Sequence, residues 1–123
     1  MSEIRRVSCH CGAVELVVNF PDGLTRAMRC NCSLCKRKGA IMIGVPVDRL
    51  EILKGADQLE LYQWNTKVAE HYFCKVCGIY THHRRRRDPN EFGVNAGCID
   101  GVDSSDFADV PVLDGASLST IEG

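Results

Sequence analysis

Apolar and polar residues alternate along several short stretches of this chain, which is the pattern of β-strands that bury one face. Residues 13–20 (AVELVVNF) show the alternation clearly and end at Pro21-Asp22-Gly23, a typical turn sequence. Residues 40–47 are apolar along most of their length, as expected of a buried strand. The other predicted strands cover residues 25–30, 50–53, 59–64, 69–73 and 92–96.

Helical periodicity is weak by comparison. Residues 48–53 are compatible with a turn and residues 103–106 with the cap of a short helix, but neither stretch sustains a 3.6-residue period. Short strands at regular spacing, separated by glycine-rich turns, predict a mainly β fold, either a sandwich or a compact barrel-like arrangement. The length of 123 residues predicts a single domain, residues 1–123, with a real core.

The composition is that of an ordinary globular protein, with 45% hydrophobic and 25% charged residues. The longest apolar run, residues 40–47, is interrupted by Gly44 and Pro46 and is too short to span a membrane. The first twelve residues, MSEIRRVSCHCG, contain no apolar stretch of the kind that forms a secretory signal. We therefore expect a cytoplasmic location, where thiols stay reduced and disulfides are rare.

Charge is distributed unevenly along the chain. All 15 Lys and Arg residues fall in residues 1–87, together with 8 acidic residues, whereas residues 88–123 contain 8 acidic residues and no Lys or Arg. From about residue 100 the chain is therefore predicted to form an acidic C-terminal segment, which lies against a basic body or is exposed as a tail. The four arginines at 84–87 could contact phosphates, but beside an acidic segment they are weak evidence for nucleic-acid binding.

The cysteines carry the strongest chemical signal. They fall in three clusters and one single position: Cys9 and Cys11, then Cys30, Cys32 and Cys35, then Cys74 and Cys77, and finally Cys98. Residues at i and i+2 of an extended segment project to the same side, and a CxxC turn also brings two sulfurs together, so each cluster can offer thiolates to one zinc ion. Because CxC and CxxC bridges are strained or redox-active and no export signal is visible, zinc is favoured over a disulfide framework or a thioredoxin-like CxxC.

The clusters differ in the kind of zinc site that they could form. Two well-separated pairs, which we call the four-cysteine cluster, could form a closed structural zinc site: Cys9, Cys11, Cys74 and Cys77. Three thiols within six residues, which we call the cysteine triad, could leave a fourth zinc position open, as in catalytic sites: Cys30, Cys32 and Cys35. Spacing alone does not fix this grouping. Cys98 could complete the second site as a fourth ligand, or it could be a buried thiol beside that site.

The order and spacing of these motifs resemble the glutathione-dependent formaldehyde-activating enzyme family, which includes centromere protein V-like domains. The resemblance extends from Cys9 to about Asp100 and rests on CHCGA at residues 9–13, CNCSLC at 30–35 and FCKVCG at 73–78. The stretch GVNAGCID at residues 93–100 is similar to the closing strand of that family. Three ordered cysteine clusters with these spacings make a specific signal.

The resemblance implies a compact β fold of the Mss4-like kind with two zinc ions per chain. It implies that the four-cysteine cluster holds a structural zinc and that the cysteine triad holds a catalytic-type zinc. The implied activity is the condensation of glutathione with formaldehyde to S-hydroxymethylglutathione, which is classed as a carbon–sulfur lyase reaction. The implied partners are a small thiol such as glutathione and a small aldehyde. The residues themselves argue against a membrane partner and only weakly for a nucleic acid.

Other residues remain candidates for supporting roles. The basic residues at 36–38 and 84–87 could bind the carboxylates of glutathione, or they could be solvated surface charges. One of His71, His82 and His83 could carry a proton, although a structural role is the alternative for each. His10 lies between two candidate ligands and points the other way if Cys9 and Cys11 share a face. The alternative function is a zinc-stabilised binding module without catalysis, which uses a basic surface to bind a protein or nucleic acid.

Overall fold

The computed structural model describes residues 2–63, 67, 69–85, 88–107 and 109–113. Within these residues the strands are β1 (Glu3–Ser8), β2 (Glu15–Phe20), β3 (Ala27–Cys30), β4 (Met42–Pro46), β5 (Leu50–Lys54), β6 (Leu59–Tyr62), β7 (Glu70–Cys74), β8 (Tyr80–Arg84), β9 (Glu91–Asn95) and β10 (Val112–Leu113). A short helix, α1, spans Ser33–Lys38. Turns of 3₁₀ helix cover Val47–Arg49, Ala56–Gln58, Ala96–Cys98 and Ser104–Phe107.

The strands form two sheets. The smaller sheet has the order β1-β2-β5, and the larger sheet has the order β10-β3-β4-β9-β8-β7-β6. All pairs are antiparallel except the short pair of β10 and β3. An isolated antiparallel bridge between Val7 and Ile99 ties β1 to the segment after β9. The predicted mainly β fold is confirmed.

One buried cluster combines side chains from both sheets. In β2, alternate residues are buried, as the alternating sequence predicts. The cluster includes Val7, Leu16, Val18 and Phe20 from the smaller sheet and Ile43, Val45 and Val94 from the larger sheet. Burial of each such side chain contributes about 1.5–3 kcal/mol, so this shared core holds the two sheets together.

The opposite face of the larger sheet is shaped by two glycines. Because Ile43 and Val45 point into the core, Gly44 between them faces the other side of the sheet. Gly44 lies directly opposite Gly93 on β9. A Cβ on Gly44 would lie 3.2 Å from Nη2 of Arg26, so the absence of side chains here lets larger groups approach the backbone.

Several sequence expectations are corrected or refined by the structure. Helix α1 and strand β1 were not among the predicted elements. The stretch 48–53 is a 3₁₀ turn followed by strand β5, and residues 103–106 overlap a 3₁₀ turn. Trp64, Arg86, Arg87 and residues 114–123 of the acidic segment lie outside the described residues. Within the described residues, no helix has the length and apolar composition needed to cross a bilayer.

Gly55, between β5 and the following 3₁₀ turn, supports a stability prediction. It has a φ of +81°, and a Cβ there would lie 1.9 Å from the carbonyl oxygen of Ala13. We expect Gly55→Ala to lower the free energy of unfolding by about 3 kcal/mol or more, because backbone strain and a backbone clash add. Urea unfolding followed by circular dichroism measures this loss.

Gly101→Ala is the matched control for this prediction. Gly101 has a similar φ of +77°, but its added Cβ would meet only the Nη1 atom of Arg5, at 3.4 Å. We expect a loss of about 1–2 kcal/mol from the backbone strain alone. Equal losses of unfolding free energy in the two variants would contradict a destabilising clash at Gly55.

Candidate metal centres and their surroundings

The segment after β1 and the turn after β7 bring the four-cysteine cluster together. Its four Sγ atoms all lie within 4.8 Å of one another. The Cys9–Cys11 and Cys11–Cys74 Sγ pairs are each 3.7 Å apart. Thiolates on a tetrahedral zinc with bonds of about 2.3 Å would lie about 3.8 Å apart, whereas disulfide sulfurs lie about 2.05 Å apart. The observed spacing therefore fits a metal ion and is too wide for disulfide bonds.

The backbone around this cluster brings the cysteines together and stabilises their thiolate forms. Cys74 is the last residue of β7, and its carbonyl accepts a hydrogen bond from the N–H of Gly78 at 2.7 Å, which closes the tight turn. Gly78 has a φ of +81°, which glycine adopts without strain. Burial opposes ionisation of Cys77, but hydrogen bonds from the backbone of Cys11 and Ile79 bring its pKa down to about 6. Amides that point at sulfur favour the charged form that binds metal.

The cysteine triad is built by the end of β3 and the start of α1. Its three Sγ atoms lie within 4.8 Å of one another. The Sγ of Cys32 caps the helix by accepting a hydrogen bond from the N–H of Cys35 at 3.3 Å. The N–H of Cys32 in turn donates to the Sγ of Cys30 at 3.5 Å. In the part of the chain that the structure describes, no fourth Cys, His, Asp or Glu ligand atom joins this group.

The charge of the triad also fits a metal ion. The pKa of Cys35 lies far above its ordinary value, first because its thiol is hydrogen-bonded to Cys30, then because it is buried, and then because the thiolates of Cys30 and Cys32 are close. Three thiols at this spacing resist full ionisation unless a cation offsets their charge. Sulfur ligands select zinc and other thiophilic ions over magnesium or calcium.

Cys98 lies outside both clusters. It is 7% exposed, and its Sγ donates a hydrogen bond to the carbonyl oxygen of Tyr80 at 3.5 Å. Burial, followed by the charges of Cys9 and Cys77, raises its pKa to about 12. Of the two roles that the sequence leaves open, this geometry favours the buried thiol.

Three further groups form a connected cluster, of which two lie beside the triad. The Nζ atom of Lys38, the last residue of α1, lies 3.3 Å from the centroid of the Tyr80 ring. The Tyr80 hydroxyl and Nδ1 of His83 are hydrogen-bonded at 2.8 Å. Burial raises the pKa of Tyr80, and the nearby thiolates of the triad add to this shift, so the phenol remains protonated. A cation and a phenol thus lie beside the triad, and an imidazole is hydrogen-bonded to the phenol.

A second charged group lies along β3. Arg26 donates from Nη2 to one carboxylate oxygen of Glu91 at 2.6 Å, and Arg85 donates from Nη1 to the other at 3.0 Å. The Nη2 atom of Arg85 also lies 3.7 Å from the Sδ of Met28, two residues before Cys30. Arg26 and Gly44 were not expected from the sequence as site residues, although a glycine inside a strand is a signal of close approach.

The structure separates the basic residues predicted to follow Cys35. Lys36 and Arg37 are exposed, and Arg37 donates from Nη1 to the carbonyl of Ser33 at 2.8 Å on its own helix. Lys38 instead turns toward Tyr80. In the other run, Arg84 donates from Nε to the carbonyl of Pro89 at 2.8 Å. Among the described residues of the two runs, Lys38 interacts with Cys35 of the triad and Arg85 contacts Met28, two residues before Cys30.

The histidines occupy different environments. His10 is exposed, whereas His82 is buried in the larger sheet, with Nδ1 hydrogen-bonded to the Thr81 hydroxyl at 2.8 Å and its ring stacked on Tyr72. Burial lowers the pKa of His82 to about 4, so it is neutral at physiological pH. His71 and His83 stack on one another with ring centroids 5.4 Å apart. His83 is hydrogen-bonded to Tyr80, the aromatic neighbour of the triad, and the His71 ring centroid lies 6.3 Å from that of Tyr80.

Comparison with known proteins identifies the family. The model of the glutathione-dependent formaldehyde-activating enzyme family matches residues 4–110, which include every cysteine of the chain. The chain belongs to this family. The resemblance that the three cysteine motifs indicate is therefore confirmed.

Curated relatives and a solved structure agree with the family assignment. A Halomonas elongata protein is 34% identical over 79 residues, which cover 57% of this chain and 49% of the relative. A Penicillium rubens protein is 26% identical over 87 residues, which cover 68% of this chain and 45% of the relative. Both carry the provisional name of glutathione-dependent formaldehyde-activating enzyme, and the chain spans about half the length of each.

The solved structure is a crystal structure of a Rhodobacter sphaeroides protein from a structural-genomics programme. It is 46% identical, has a TM-score of 0.85 and covers 88% of this chain and 99% of its own. The fold of the present chain therefore matches nearly the whole of the Rhodobacter sphaeroides protein.

Proposed function

We propose that this chain is a zinc-dependent enzyme of the carbon–sulfur lyase type. It would join glutathione or a similar thiol to formaldehyde or another small aldehyde, giving an S-hydroxymethyl adduct. The observation that carries the proposal is the cysteine triad, three converging thiols that no fourth described ligand joins, with a lysine ammonium nearby. Glutathione and formaldehyde are the substrates that the family description names.

The proposal includes two zinc ions per chain, one in each cysteine cluster. The four-cysteine cluster would hold a structural ion, because four protein thiolates complete a tetrahedron and leave no position for a substrate. The cysteine triad would hold the second ion, with Cys98 as a buried thiol that is a ligand of neither ion. When bound there, zinc supplies a position for a thiol sulfur and favours its thiolate form.

The charged side chains along β3 suit a thiol with an amino-acid end. Glutathione carries an α-ammonium and an α-carboxylate at one end and a second carboxylate at the other. Arg26, Glu91 and Arg85 present two guanidiniums and one carboxylate, which complement both charges of such an end. Arg85 contacts Met28 of β3, and a two-residue step along a strand covers about 6.6 Å, so a tripeptide thiol could reach from this group to Cys30.

The proposed reaction needs little covalent chemistry from the protein. The thiolate sulfur attacks the carbonyl carbon, the electron pair of the C=O double bond moves to oxygen, and that oxygen takes up a proton. The chain would contribute by holding the thiol and the aldehyde at reacting distance and by placing positive charge where the oxygen becomes negative. The reverse direction releases the aldehyde, which is the lyase reaction.

Exchange spectroscopy tests this function on the full chain purified with zinc. We expect about two zinc ions per chain and faster exchange between free and hydroxymethylated glutathione than in buffer at the same concentrations. A thiol without charged ends, 2-mercaptoethanol, is the substrate control, and its exchange should be accelerated less. A chain that holds both zinc ions and leaves glutathione exchange at the uncatalysed rate would contradict the proposal.

A further inference from the structure

Lys38 has an unusual environment for a lysine. Lysine side chains on short surface helices normally extend into water, but the ammonium of Lys38 lies 3.3 Å from the centroid of the Tyr80 ring. A cation over an aromatic face is held there by the ring quadrupole. Helix α1 ends at Lys38, three residues after Cys35, and Gly39 closes the helix with an N–H bond to the carbonyl of Cys35 at 2.9 Å. Lys38 also interacts electrostatically with Cys35 of the triad, which places its ammonium near the candidate site.

The ring beneath Lys38 is itself held in place. Tyr80 is 9% exposed at the start of β8, and its hydroxyl is hydrogen-bonded to Nδ1 of His83. Burial, followed by electrostatic interactions with His71 and Arg85, lowers the pKa of His83 to about 3. A neutral imidazole can accept the hydrogen bond that the protonated Tyr80 hydroxyl donates.

Gly93 leaves the space that the imidazole ring of His83 occupies on the sheet. His83 and Gly93 are direct partners of β8 and β9. A Cβ on residue 93 would lie 2.5 Å from Cε1 and 2.9 Å from Nδ1 of His83. Any side chain at this position would push the ring away, and His83 could then no longer hold the Tyr80 hydroxyl in the same geometry.

We propose that Lys38 is a catalytic residue, whose ammonium contacts the oxygen that becomes negative when a thiolate adds to the aldehyde, with Tyr80, His83 and Gly93 as positioning residues. This inference rests on the proposed function. The new bond joins sulfur to carbon, and the π pair of the carbonyl goes to oxygen. That oxygen takes a proton from the Lys38 ammonium, and water restores the proton to the amine. No oxidant or reductant is required.

The first test separates the chemical step from substrate binding. Lys38→Met keeps an unbranched stem over the Tyr80 ring and removes the charge. We expect kcat to fall by about 10²–10³-fold, the usual effect of losing one group that stabilises an oxyanion, while glutathione affinity measured by calorimetry changes by less than about threefold. Lys36→Met, an exposed lysine on the same helix, should match the wild type in both measurements. Weaker glutathione binding with unchanged kcat in Lys38→Met would overturn the inference, because Lys38 would then bind a carboxylate of the thiol.

Tyr80→Phe tests the positioning residues. It keeps the aromatic face under Lys38 and removes only the hydroxyl that bonds to His83. We expect kcat to fall by about tenfold with an unchanged glutathione KM, and the Nδ1 resonance of His83 to shift in nitrogen-15 spectra. Unchanged kcat together with a shifted resonance would show that the bond to His83 has no part in catalysis.

A second readout does not depend on turnover. Formate is a planar one-carbon anion with negative oxygens, and it resembles the charged aldehyde oxygen. We expect formate to bind the zinc-loaded, glutathione-saturated chain at least about tenfold more weakly in Lys38→Met than in the wild type or Lys36→Met, as measured by carbon-13 titration. Equal binding in all three would overturn the role of Lys38. Wild-type exchange at the background rate would instead contradict the proposed function, whatever the formate result.

Discussion

Replacing Cys74 with serine is expected to leave the chain without a stable fold. Cys74 is fully buried at the end of β7, and its Sγ lies 3.7 Å from that of Cys11, which is 63 residues earlier in the chain. A zinc ion in the four-cysteine cluster would hold the segment after β1 against the turn after β7. Structural zinc contributes about 10–16 kcal/mol in small zinc domains, whereas whole domains are stable by about 5–15 kcal/mol. Loss of one ligand would therefore remove stability comparable to the total.

Circular dichroism, urea unfolding and zinc content measure this effect. Cys98→Ser is the matched control, because Cys98 is also buried and a serine hydroxyl can still donate to the Tyr80 carbonyl. We expect that control to cost only about 1 kcal/mol and to keep both zinc ions. A chelator should reproduce the Cys74→Ser result in the wild type. A Cys74→Ser chain that stays folded without zinc would contradict a structural role for the cluster.

The strands show which part of the fold a sequence pattern can reveal. In β2, the alternation of Leu16, Val18 and Phe20 with less buried residues follows directly from one buried face, so the pattern predicts both the strand and its orientation. Strand β1 gives no such signal, because Ile4 is 70% exposed at the sheet edge and its neighbours are charged. An edge strand is formed by its pairing with a neighbour, which the local sequence does not contain.

Helix α1 was not predicted for a different reason. Six residues make fewer than two turns, so no helical period can be read from them. What starts this helix is the Sγ of Cys32, which caps it, and what ends it is Gly39 with a φ of +64°. From the sequence alone, Cys32 is read as part of a cysteine motif and Gly39 as part of a loop.

The candidate site also has parts that the sequence predicts and parts that only the fold reveals. The triad lies within six residues, so spacing alone indicates that its sulfurs can converge, and in the structure they do. The meeting of Cys11 with Cys74 depends on the sheet topology, and the sequence leaves other groupings open. The contact of Lys38 with Tyr80 and that of Gly93 with His83 join distant segments, so no spacing rule predicts them. They follow from the register of β8 and β9 and from the direction in which α1 leaves β3.

Replacing Cys32 with serine is expected to abolish activity while the fold is retained. Serine is a preferred helix N-cap, so its hydroxyl can accept the bond from the N–H of Cys35 that the thiol now accepts. Serine does not replace a thiolate as a zinc ligand at neutral pH. We expect zinc to fall from about two ions to about one per chain, glutathione exchange to fall by more than about 10³-fold, and stability to change by about 1–2 kcal/mol.

The contrast between Cys32→Ser and Cys74→Ser tests whether one cluster is structural and the other catalytic. The chemical change is the same, but Cys32 and its partners join only the end of β3 to a six-residue helix, whereas Cys74 connects segments far apart in the chain. Local cross-links contribute less to folding than those that close long loops. A Cys32→Ser chain that keeps two zinc ions and full exchange activity would contradict a catalytic zinc at the triad. One that unfolds as completely as Cys74→Ser would show that both clusters are structural.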